Sequence, residues 1–242
     1  MAWHTQRLAA FDIETTGINT EDDRVVTAAI SLVGVGLTTE SRDWLVDPGI
    51  EIPAGAAAVH GITTEQAQAE GQDPAAAIEQ ITAALAEQQL AGVPIVAFNA
   101  RFDLTIIDRE ARRHGVVPLV DRIGGPEALL VIDPYVIDKQ VDRYRSGKRT
   151  LGAVCEHYRV PLVNAHAANA DALAAARVAW RMGSTMIDVG GYDLPTLHVQ
   201  QVAWAAEQAA SLEQYFARQG RDERVEPAWP CVPLPRPVLY AV

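Results

Sequence analysis

The chain has 242 residues, of which 49% are hydrophobic and 21% are charged, and its formal net charge is −11. This length and balance are typical of a globular protein with one α/β domain of roughly 180 residues plus an appendage, or with one larger domain. No apolar run approaches the roughly 18 residues that cross a bilayer, which argues against a membrane protein. The acidity argues at first sight against a nucleic-acid partner, because Lys and Arg supply most non-specific binding to phosphate.

The cysteines and the amino terminus indicate the compartment. Cys155 and Cys231 lie far apart and show no metal-ligand spacing, so we expect unpaired thiols in a reducing environment. Residues 1–10 carry no basic region followed by a long apolar run, so a secretory signal is not expected. We therefore expect a cytoplasmic location.

The first third of the chain is predicted to form strands. Residues 7–14 (RLAAFDIE) have the pattern of a short buried strand that ends in carboxylates, and residues 24–37 are rich in β-branched side chains. Residues 40–46 are predicted to pair with this second strand as a hairpin. The Pro and Gly residues of 47–53 then mark a loop.

Strands and helices are predicted to alternate in the rest of the chain. The predicted short strands are 94–98 and 129–132, and the predicted helices are 63–70 (N-cap Thr63 or Thr64), 73–90, 102–114, 150–158, 168–182 and 198–218. Apolar residues at helical spacing predict buried stripes formed by Ile78, Ile81, Leu85 and Leu90, and by Val202, Ala205, Ala209, Leu212 and Phe216. Residues 138–148 are predicted as a polar, basic loop, Gly190–Gly191 as a boundary, and the Pro-rich residues 227–237 as extended. The pattern predicts a mixed sheet with helices on its faces.

Two carboxylates stand side by side at the end of the first predicted strand. Asp12 and Glu14 are two residues apart, so they point to the same face of a strand. Adjacent carboxylates raise each other's pKa unless a cation neutralises them, and oxygen ligands of this kind suit Mg²⁺ or Mn²⁺. Considered alone, the pair is equally consistent with solvated acids at a strand end.

Two later segments add a carboxylate each. Asp103 follows Asn99 where a buried strand runs into a helix, so it falls in the first helical turn, where an Asp often only compensates the helix dipole. His166 and Asp171 are five apart at a helix entry, which places the histidine in the loop and the carboxylate in the first turns. Each segment alone favours a structural role over a functional one.

Together the three segments strongly resemble the DEDDh family of 3′–5′ exonucleases, which includes the proofreading epsilon subunit of bacterial DNA polymerase III. The family signature is DxE in a DIETTG-like strand, then NAxFD, then HxAxxD; this chain has DIETTG at 12–17, NARFD at 99–103 and HAANAD at 166–171. It also has the HGIT turn at 60–63. Ala167 stands where the sister branch carries Tyr, and Asn169 replaces a usual Leu, for which we expect a local packing adjustment.

This resemblance covers roughly residues 6–183 and implies a ribonuclease H-like α/β fold. It implies a mixed central sheet, with its first three strands antiparallel and the later ones parallel, flanked by helices. It also implies an exonuclease domain at 1–183, followed by a C-terminal helix and Pro-rich tail at 184–242.

The resemblance further implies a catalytic site with two divalent metal ions, Mg²⁺ or Mn²⁺. Asp12, Glu14 and Asp171 would bind the first ion, Asp12 would bridge to the second, and Asp103 would hold the second. His166 would be the general base, since imidazole exchanges protons near neutral pH. Bound cations would also weaken the objection from net charge, because they carry positive charge to the phosphate. The implied products are nucleoside 5′-monophosphates released from a free 3′ end.

Several further residues are predicted to contact the substrate, which would be the 3′ end of single-stranded DNA or RNA. They are Thr15, Thr16, Gly17, His60, Asn99, Phe102, Arg143, Arg145 and Lys148, with Arg149 in the same basic loop. Phe102 is equally consistent with a core position, and the loop cations with a solvated loop.

Three alternatives stay open. DNA is favoured over RNA as substrate, but nothing in the motifs separates deoxyribose from ribose. A non-catalytic nucleic-acid-binding module is the alternative of a different class, although the five signature residues are all present. A DNA polymerase or another replication or repair protein is a possible partner, and the C-terminal region would either dock it or pack on the domain.

Overall fold

The computed structural model describes residues 2–163 and 165–234. Within these ranges five strands form one sheet in the order β3-β2-β1-β4-β5. The strands are β1 (Leu8–Thr15), β2 (Val25–Val33), β3 (Glu40–Leu45), β4 (Ile95–Val96) and β5 (Val131–Ile132). The first three are antiparallel neighbours, whereas β4 pairs parallel with both β1 and β5. The predicted ribonuclease H-like mixed sheet is confirmed.

Helices cover both faces of this sheet. Those of the described ranges are α1 (Ala54–His60), α2 (Thr64–Glu70), α3 (Pro74–Leu90), α4 (Ala100–Arg113), α5 (Leu119–Arg122), α6 (Pro134–Val141), α7 (Leu151–Tyr158), α8 (Ala168–Thr185), α9 (Ile187–Gly190) and α10 (Leu194–Arg218). The side chains of Thr63, Asp73 and Thr150 accept hydrogen bonds from the first turns of α2, α3 and α7, which satisfies backbone donors that the helix itself leaves free.

Strand β1 is buried on both faces, and this decides where its carboxylates point. Phe11 and Ile13 belong to the core on one side of the sheet, which includes residues of α3 and α4. Leu8 and Ala10 belong to the core on the other side, which includes residues of α7 and α8. Because side chains alternate along a strand, Asp12 continues the Leu8 and Ala10 row and faces α8.

Helix α10 covers the β5 edge of the sheet. His198 Nδ1 accepts a hydrogen bond from the Val131 N–H at 3.1 Å, and Gln201 Nε2 donates to the Val131 carbonyl at 2.9 Å. Gln201 Oε1 also accepts from the Asp133 N–H at 2.7 Å. An edge strand otherwise presents unpaired backbone groups, so these side chains complete the sheet on that side.

Residues 221–234, which we call the C-terminal strap, run across α4 without regular secondary structure. Trp229 is 6% exposed and packs in the main core. The Val232 N–H donates to Thr105 Oγ1 at 3.0 Å, and Arg109 Nη2 donates to the Pro233 carbonyl at 3.4 Å. The strap therefore holds the helix that carries Asp103.

Three local predictions are wrong. Residues 138–141 lie in α6 rather than in a loop, because Asp133 caps that helix and Val136 and Ile137 are buried in it. Leu90 is 70% exposed at the end of α3, outside the predicted stripe. Val202 and Leu212 of the predicted α10 stripe are 41% and 37% exposed, because α10 turns His198, Gln201 and Gln208 towards the domain.

Further predictions concern short helices, the thiols, membrane spans and the C-terminal tail. Helices α1, α5 and α9 are short elements that the sequence pattern did not predict. Cys155 and Cys231 are free thiols, as predicted. No helix of the described ranges is long and apolar enough to cross a membrane. Residues 227–234 of the predicted extended tail lack helix and strand, and 235–237 lie outside the described residues.

Candidate active site

The site begins at the end of β1, where the strand pairing becomes irregular. The register with β2 shifts between Glu14 and Thr15, an irregularity of the kind found beside functional sites because it re-aims side chains. Asp12 and Glu14 are both partly exposed on one face of the strand. The strand thus presents two carboxylates at the carboxyl end of the parallel part of the sheet.

Helix α4 brings Asp103 to the same strand. Asn99 precedes the helix with a left-handed backbone (φ 64°) and turns the chain from β4 into α4. Asp103 lies in the first turn and is 4% exposed, and its Oδ1 accepts a hydrogen bond from the Ile13 N–H at 3.2 Å. That backbone amide lies between Asp12 and Glu14, so Asp103 is fixed beside both.

Helix α8 brings Asp171 and His166 from the other side of the sheet. His166 has a left-handed backbone (φ 69°) just before the helix, and its N–H donates to Asp171 Oδ2 at 3.1 Å. Ligand atoms of Glu14, His166 and Asp171 lie within 4.8 Å of one another. Asp171 is buried, whereas the His166 side chain is exposed to solvent.

Asn169, the departure from the family pattern, links this helix to the sheet. Its Oδ1 accepts a hydrogen bond from Ser31 Oγ at 3.2 Å, and its Nδ2 donates to Asp43 Oδ2 at 3.4 Å. A polar contact to β2 and β3 therefore takes the place of the expected apolar packing.

The carboxylates of the site disfavour each other's ionised form. Burial raises the pKa of Asp12 well above its usual range, and the charges of Asp103, Asp171 and Glu14 raise it further. Burial, and then the Asp171 charge, raises the pKa of Glu14 to about 7. Burial also raises the pKa of Asp103 and of Asp171. This is the electrostatic pattern of carboxylates assembled for a cation.

The donors of this site fit a divalent metal ion. Asp171 Oδ1 is buried without a hydrogen-bond partner among the described residues, which is costly for a carboxylate oxygen unless something else neutralises it. A carboxylate oxygen of Glu14 lies within 4.8 Å of one of Asp171, and hard cations prefer such ligands. Asp12, Glu14, Asp103 and Asp171 are therefore the candidate ligands.

A fifth carboxylate, Asp133, carries little signal in the sequence and was not predicted as part of the site. It is 1% exposed at the end of β5 and accepts hydrogen bonds from the N–H groups of Asn99 (2.9 Å), Ala100 (3.0 Å) and Tyr135 (2.9 Å). Trp229 Nε1 donates to it at 3.1 Å. Asp133 thus fixes the start of α4, and the Asp-Pro step at the entry to α6 was the only local signal for it.

The predicted substrate contacts that follow Glu14 form a tight turn. Thr15 Oγ1 donates to the Gly17 carbonyl at 2.6 Å, and Thr16 Oγ1 donates to Asp23 Oδ1 at 2.7 Å. A side chain at Gly17 would meet the Asp23 carboxylate at 2.5 Å. His60 Nδ1 accepts from the Ile62 N–H at 3.2 Å; burial lowers the pKa of His60, and the nearby Thr15 backbone acts in the opposite direction.

The remaining predicted contacts lie in α4 and in the segment that follows α6. Phe102 is half-buried against the main core. Arg143 and Lys148 are exposed after α6, whereas Arg145 pairs with the buried Asp138 and, at 3.2 Å, with Asp142. Their roles toward a substrate stay predictions, and Arg145 has part of its charge neutralised within the protein.

Residues 9–179, more than half of the chain, match the Exonuclease family. The chain belongs to the exonuclease family. It is 30% identical over 181 residues to the DNA polymerase III PolC-type protein of Streptococcus agalactiae, and 28% identical over 179 residues to that of Streptococcus pyogenes. The predicted resemblance to DEDDh exonucleases is confirmed. Each match covers 74% of this chain and only 11% of the relative.

Solved structures of exonucleases have the same fold. E. coli Exonuclease I in complex with a dA16 oligonucleotide superposes with a TM-score of 0.63 at 20% identity, covering 77% of this chain and 42% of that one. A moderately thermophilic Exonuclease I from Methylocaldum szegediense gives a TM-score of 0.60 at 21% identity, covering 74% and 41%. The chain therefore spans less than half of these neighbours.

Proposed function

We propose that the chain is a metal-dependent 3′–5′ exonuclease that shortens single-stranded nucleic acid, with DNA favoured, to nucleoside 5′-monophosphates. One observation carries the proposal: in a member of the exonuclease family, ligand atoms of Glu14, His166 and Asp171 lie within 4.8 Å of one another, and Asp103 bonds the backbone amide between Asp12 and Glu14. Burial and then the neighbouring carboxylate charges raise the pKa of Asp12 and of Glu14, which supports a cation as the partner that would neutralise them. A non-catalytic binding module would not need to keep this repulsive cluster.

We propose that the site takes two ions, Mg²⁺ or Mn²⁺. Asp12, Glu14 and Asp171 would hold one, while Asp12 and Asp103 would hold the other. When bound, the ions supply charge neutralisation of the phosphodiester and activation of water.

The protein's own part in the reaction is to position groups and to move a proton. His166 accepts the proton of the attacking water through its exposed imidazole, as the water oxygen bonds to phosphorus. The bond from phosphorus to the 3′ oxygen of the preceding nucleotide breaks, which leaves a new 3′ hydroxyl and a 5′-monophosphate. The hydrogen bond from the His166 N–H to Asp171 fixes the loop that carries the base.

The preference for DNA is supported by the neighbours. Exonuclease I is described with bound dA16 and dT13 oligonucleotides, and the curated relatives are DNA polymerases by name. An RNA-trimming enzyme is the second candidate, because the five site residues act on the phosphate rather than on the sugar. A polymerase or another replication or repair protein is the partner that these relatives suggest.

The test is a time course on matched 5′-labelled single-stranded DNA and RNA oligonucleotides with Mg²⁺ or Mn²⁺. We expect a ladder that shortens from the 3′ end, and no ladder with Asp12→Ala, which removes the proposed bridging ligand. Asp188→Ala, which removes an exposed acid of α9, is the matched control and should stay active. Equal activity of Asp12→Ala and wild type would overturn the metal assignment, and an inactive wild type would favour a binding role.

A further inference from the structure

A cavity lies at the carboxyl end of β5 and is not lined by Asp12, Glu14, Asp103 or Asp171. It has a volume of about 280 Å³ and lies between the start of α4, α6, α10 and the C-terminal strap. Its polar and aromatic lining includes Arg101, Tyr135, Lys139, Gln208 and Trp229. Two of its walls, α10 and the strap, follow residue 179, where the family match ends.

The cavity lining carries two cations, Arg101 and Lys139, and one carboxylate, Asp133, in a protein with a formal net charge of −11. Burial and the nearby charges of Arg101 and Arg149 lower the pKa of Lys139. Its Nζ lies 4.9 Å from the centre of the Tyr135 ring, a cation–π contact that keeps the ammonium in the cavity. Asp133 also lines the cavity, but its oxygens already accept four N–H hydrogen bonds. An anion would relieve the repulsion between the cations.

The position of the cavity relates it to the proposed active site. The carboxyl ends of β1, β4 and β5 lie side by side, so the cavity by β5 is two strand spacings, about 10 Å, from β1. Tyr135 lines the cavity, and its ring centroid lies 5.5 Å from that of Phe98, which follows β4. A stacked strand advances about 3.4 Å per nucleotide, so about three nucleotides cover this distance.

We propose that this cavity binds a backbone phosphate of the strand being shortened, about three nucleotides upstream of the scissile bond, through Lys139 and Arg101. The inference rests on the proposed function. It assigns a role to the C-terminal extension: α10 and the strap form the outer wall of a substrate subsite. A phosphate contact of this kind carries no sequence information, so the subsite suits stepwise shortening of any sequence.

The test compares Lys139→Gln with wild type on a dinucleotide, which is too short to reach the cavity, and on an octanucleotide. We expect the KM of Lys139→Gln for the octanucleotide to rise about 3- to 10-fold, with kcat unchanged, and its KM for the dinucleotide to stay unchanged. Lys139→Arg should restore the octanucleotide KM. Arg42→Gln removes a cation from β3, the opposite edge of the sheet, and is the control.

Each other outcome overturns the proposal in a recognisable way. If Lys139→Gln raises both KM values equally, or leaves both unchanged, the cavity is not an upstream subsite. If it weakens only inhibition by added nucleoside 5′-monophosphate, the cavity binds released product instead. If the wild type shortens neither oligonucleotide, the proposed function fails, and the cavity is then tested by fluorescence anisotropy of a labelled octanucleotide. Equal affinity of wild type and Lys139→Gln in that measurement rejects the subsite as well.

Discussion

At the scale of residues, the site stores electrostatic repulsion. Carboxylates from β1, α4 and α8 lie close together, and Asp103 is held there by a hydrogen bond from the Ile13 N–H. Burial raises the pKa of Asp12 and of Glu14, and the charges of neighbouring carboxylates raise both pKa values further. Native proteins tolerate such local strain where function requires it, because the rest of the fold supplies enough stability. Removing one carboxylate charge should therefore stabilise the metal-free protein and, at the same time, lower its activity.

Glu14→Gln should stabilise the metal-free protein while abolishing turnover. The pKa of Glu14 in the folded protein, about 7, lies above its ordinary value of 4.5, so wild-type stability falls as the pH rises through that interval. In EDTA at about pH 8, we expect Tm to rise by about 2–4 °C, the effect of roughly 1 kcal/mol in a protein of this size.

Thermal unfolding across pH checks this prediction. The Tm difference should vanish below about pH 4, where the wild-type Glu14 carboxyl is protonated and therefore as uncharged as the amide that replaces it. Mg²⁺ should raise the Tm of wild type more than that of Glu14→Gln. Glu207→Gln, an exposed acid on α10, should leave Tm within about 1 °C. A lower Tm for Glu14→Gln at high pH would contradict the proposed repulsion.

His166→Ala should lower kcat by about 10²- to 10⁴-fold, the usual effect of removing a general base. The measurement is the pH dependence of kcat in wild type and variant. We expect the pH profile of the variant to differ in shape from that of wild type. A profile that keeps its shape in His166→Ala would remove this residue from the role and would favour a metal-ligand role for it instead.

At the scale of elements, α10 and β5 depend on each other. Strand β5 is only two residues long and forms the edge of the sheet, so pairing within the sheet satisfies only part of its backbone. Gln201 bonds it on the outer side and is fully buried. A buried amide with both of its functions satisfied holds one register between helix and strand.

Gln201→Leu should therefore lower the free energy of unfolding by about 3 kcal/mol, since it leaves buried backbone groups of Val131 and Asp133 unpaired. Urea unfolding gives the magnitude of the loss. Relative to wild type, the backbone amides of β5 should gain more in hydrogen-exchange rate than the amides of the other strands. Val202→Gln changes the neighbouring, outward-facing position of the same helix and should have an effect within about 0.5 kcal/mol. Equal stability of the two variants would mean that α10 does not support β5.

At the scale of the whole molecule, the C-terminal extension is part of the packed structure. Trp204 and Trp229 contact the cores of the domain, and the strap bonds α4 through Thr105 and Arg109. Because the formal net charge is −11, the proposed binding of phosphate depends on a few cations such as Arg101 and Lys139 in the cavity beside β5. The predicted division at residue 183 stays a prediction, which truncation tests.

Chains that end at Leu234, Gly220 and Gly190 should form a descending series of stability. Ending at Leu234 keeps every contact described above; ending at Gly220 removes the strap, including the buried Trp229; and ending at Gly190 also removes α10 and opens the β5 edge. We expect the chain ending at Gly220 to lose roughly 3–5 kcal/mol of its free energy of unfolding, the usual cost of removing a buried Trp. We expect the chain ending at Gly190 to aggregate. A chain ending at Gly190 that unfolds like the full chain would show that the extension is independent.

The sequence by itself determined the family of this protein and indicated which residues form the candidate site. Asp12 and Glu14 are two residues apart on a strand, and His166 and Asp171 lie at a helix entry, so local geometry and the family motifs are enough to locate them. The order of strands and helices likewise indicated the mixed sheet. These features depend on periodicity and on residues close together in the chain, which a sequence displays directly.

Only the tertiary structure decided the surroundings of that chemistry. Asp133 is 34 residues from Asn99 and 68 from Gln201, and Lys139 meets Arg101 and Trp229 only when α4, α6 and the strap converge. In the sequence, Gln201 has the pattern of a solvated helix residue and Arg145 that of a free loop cation. Whether a side chain such as Gln201 is buried, and which group it bonds, depends on contacts between segments that are distant in the chain. Folding brings those segments together, and local propensity does not reveal it.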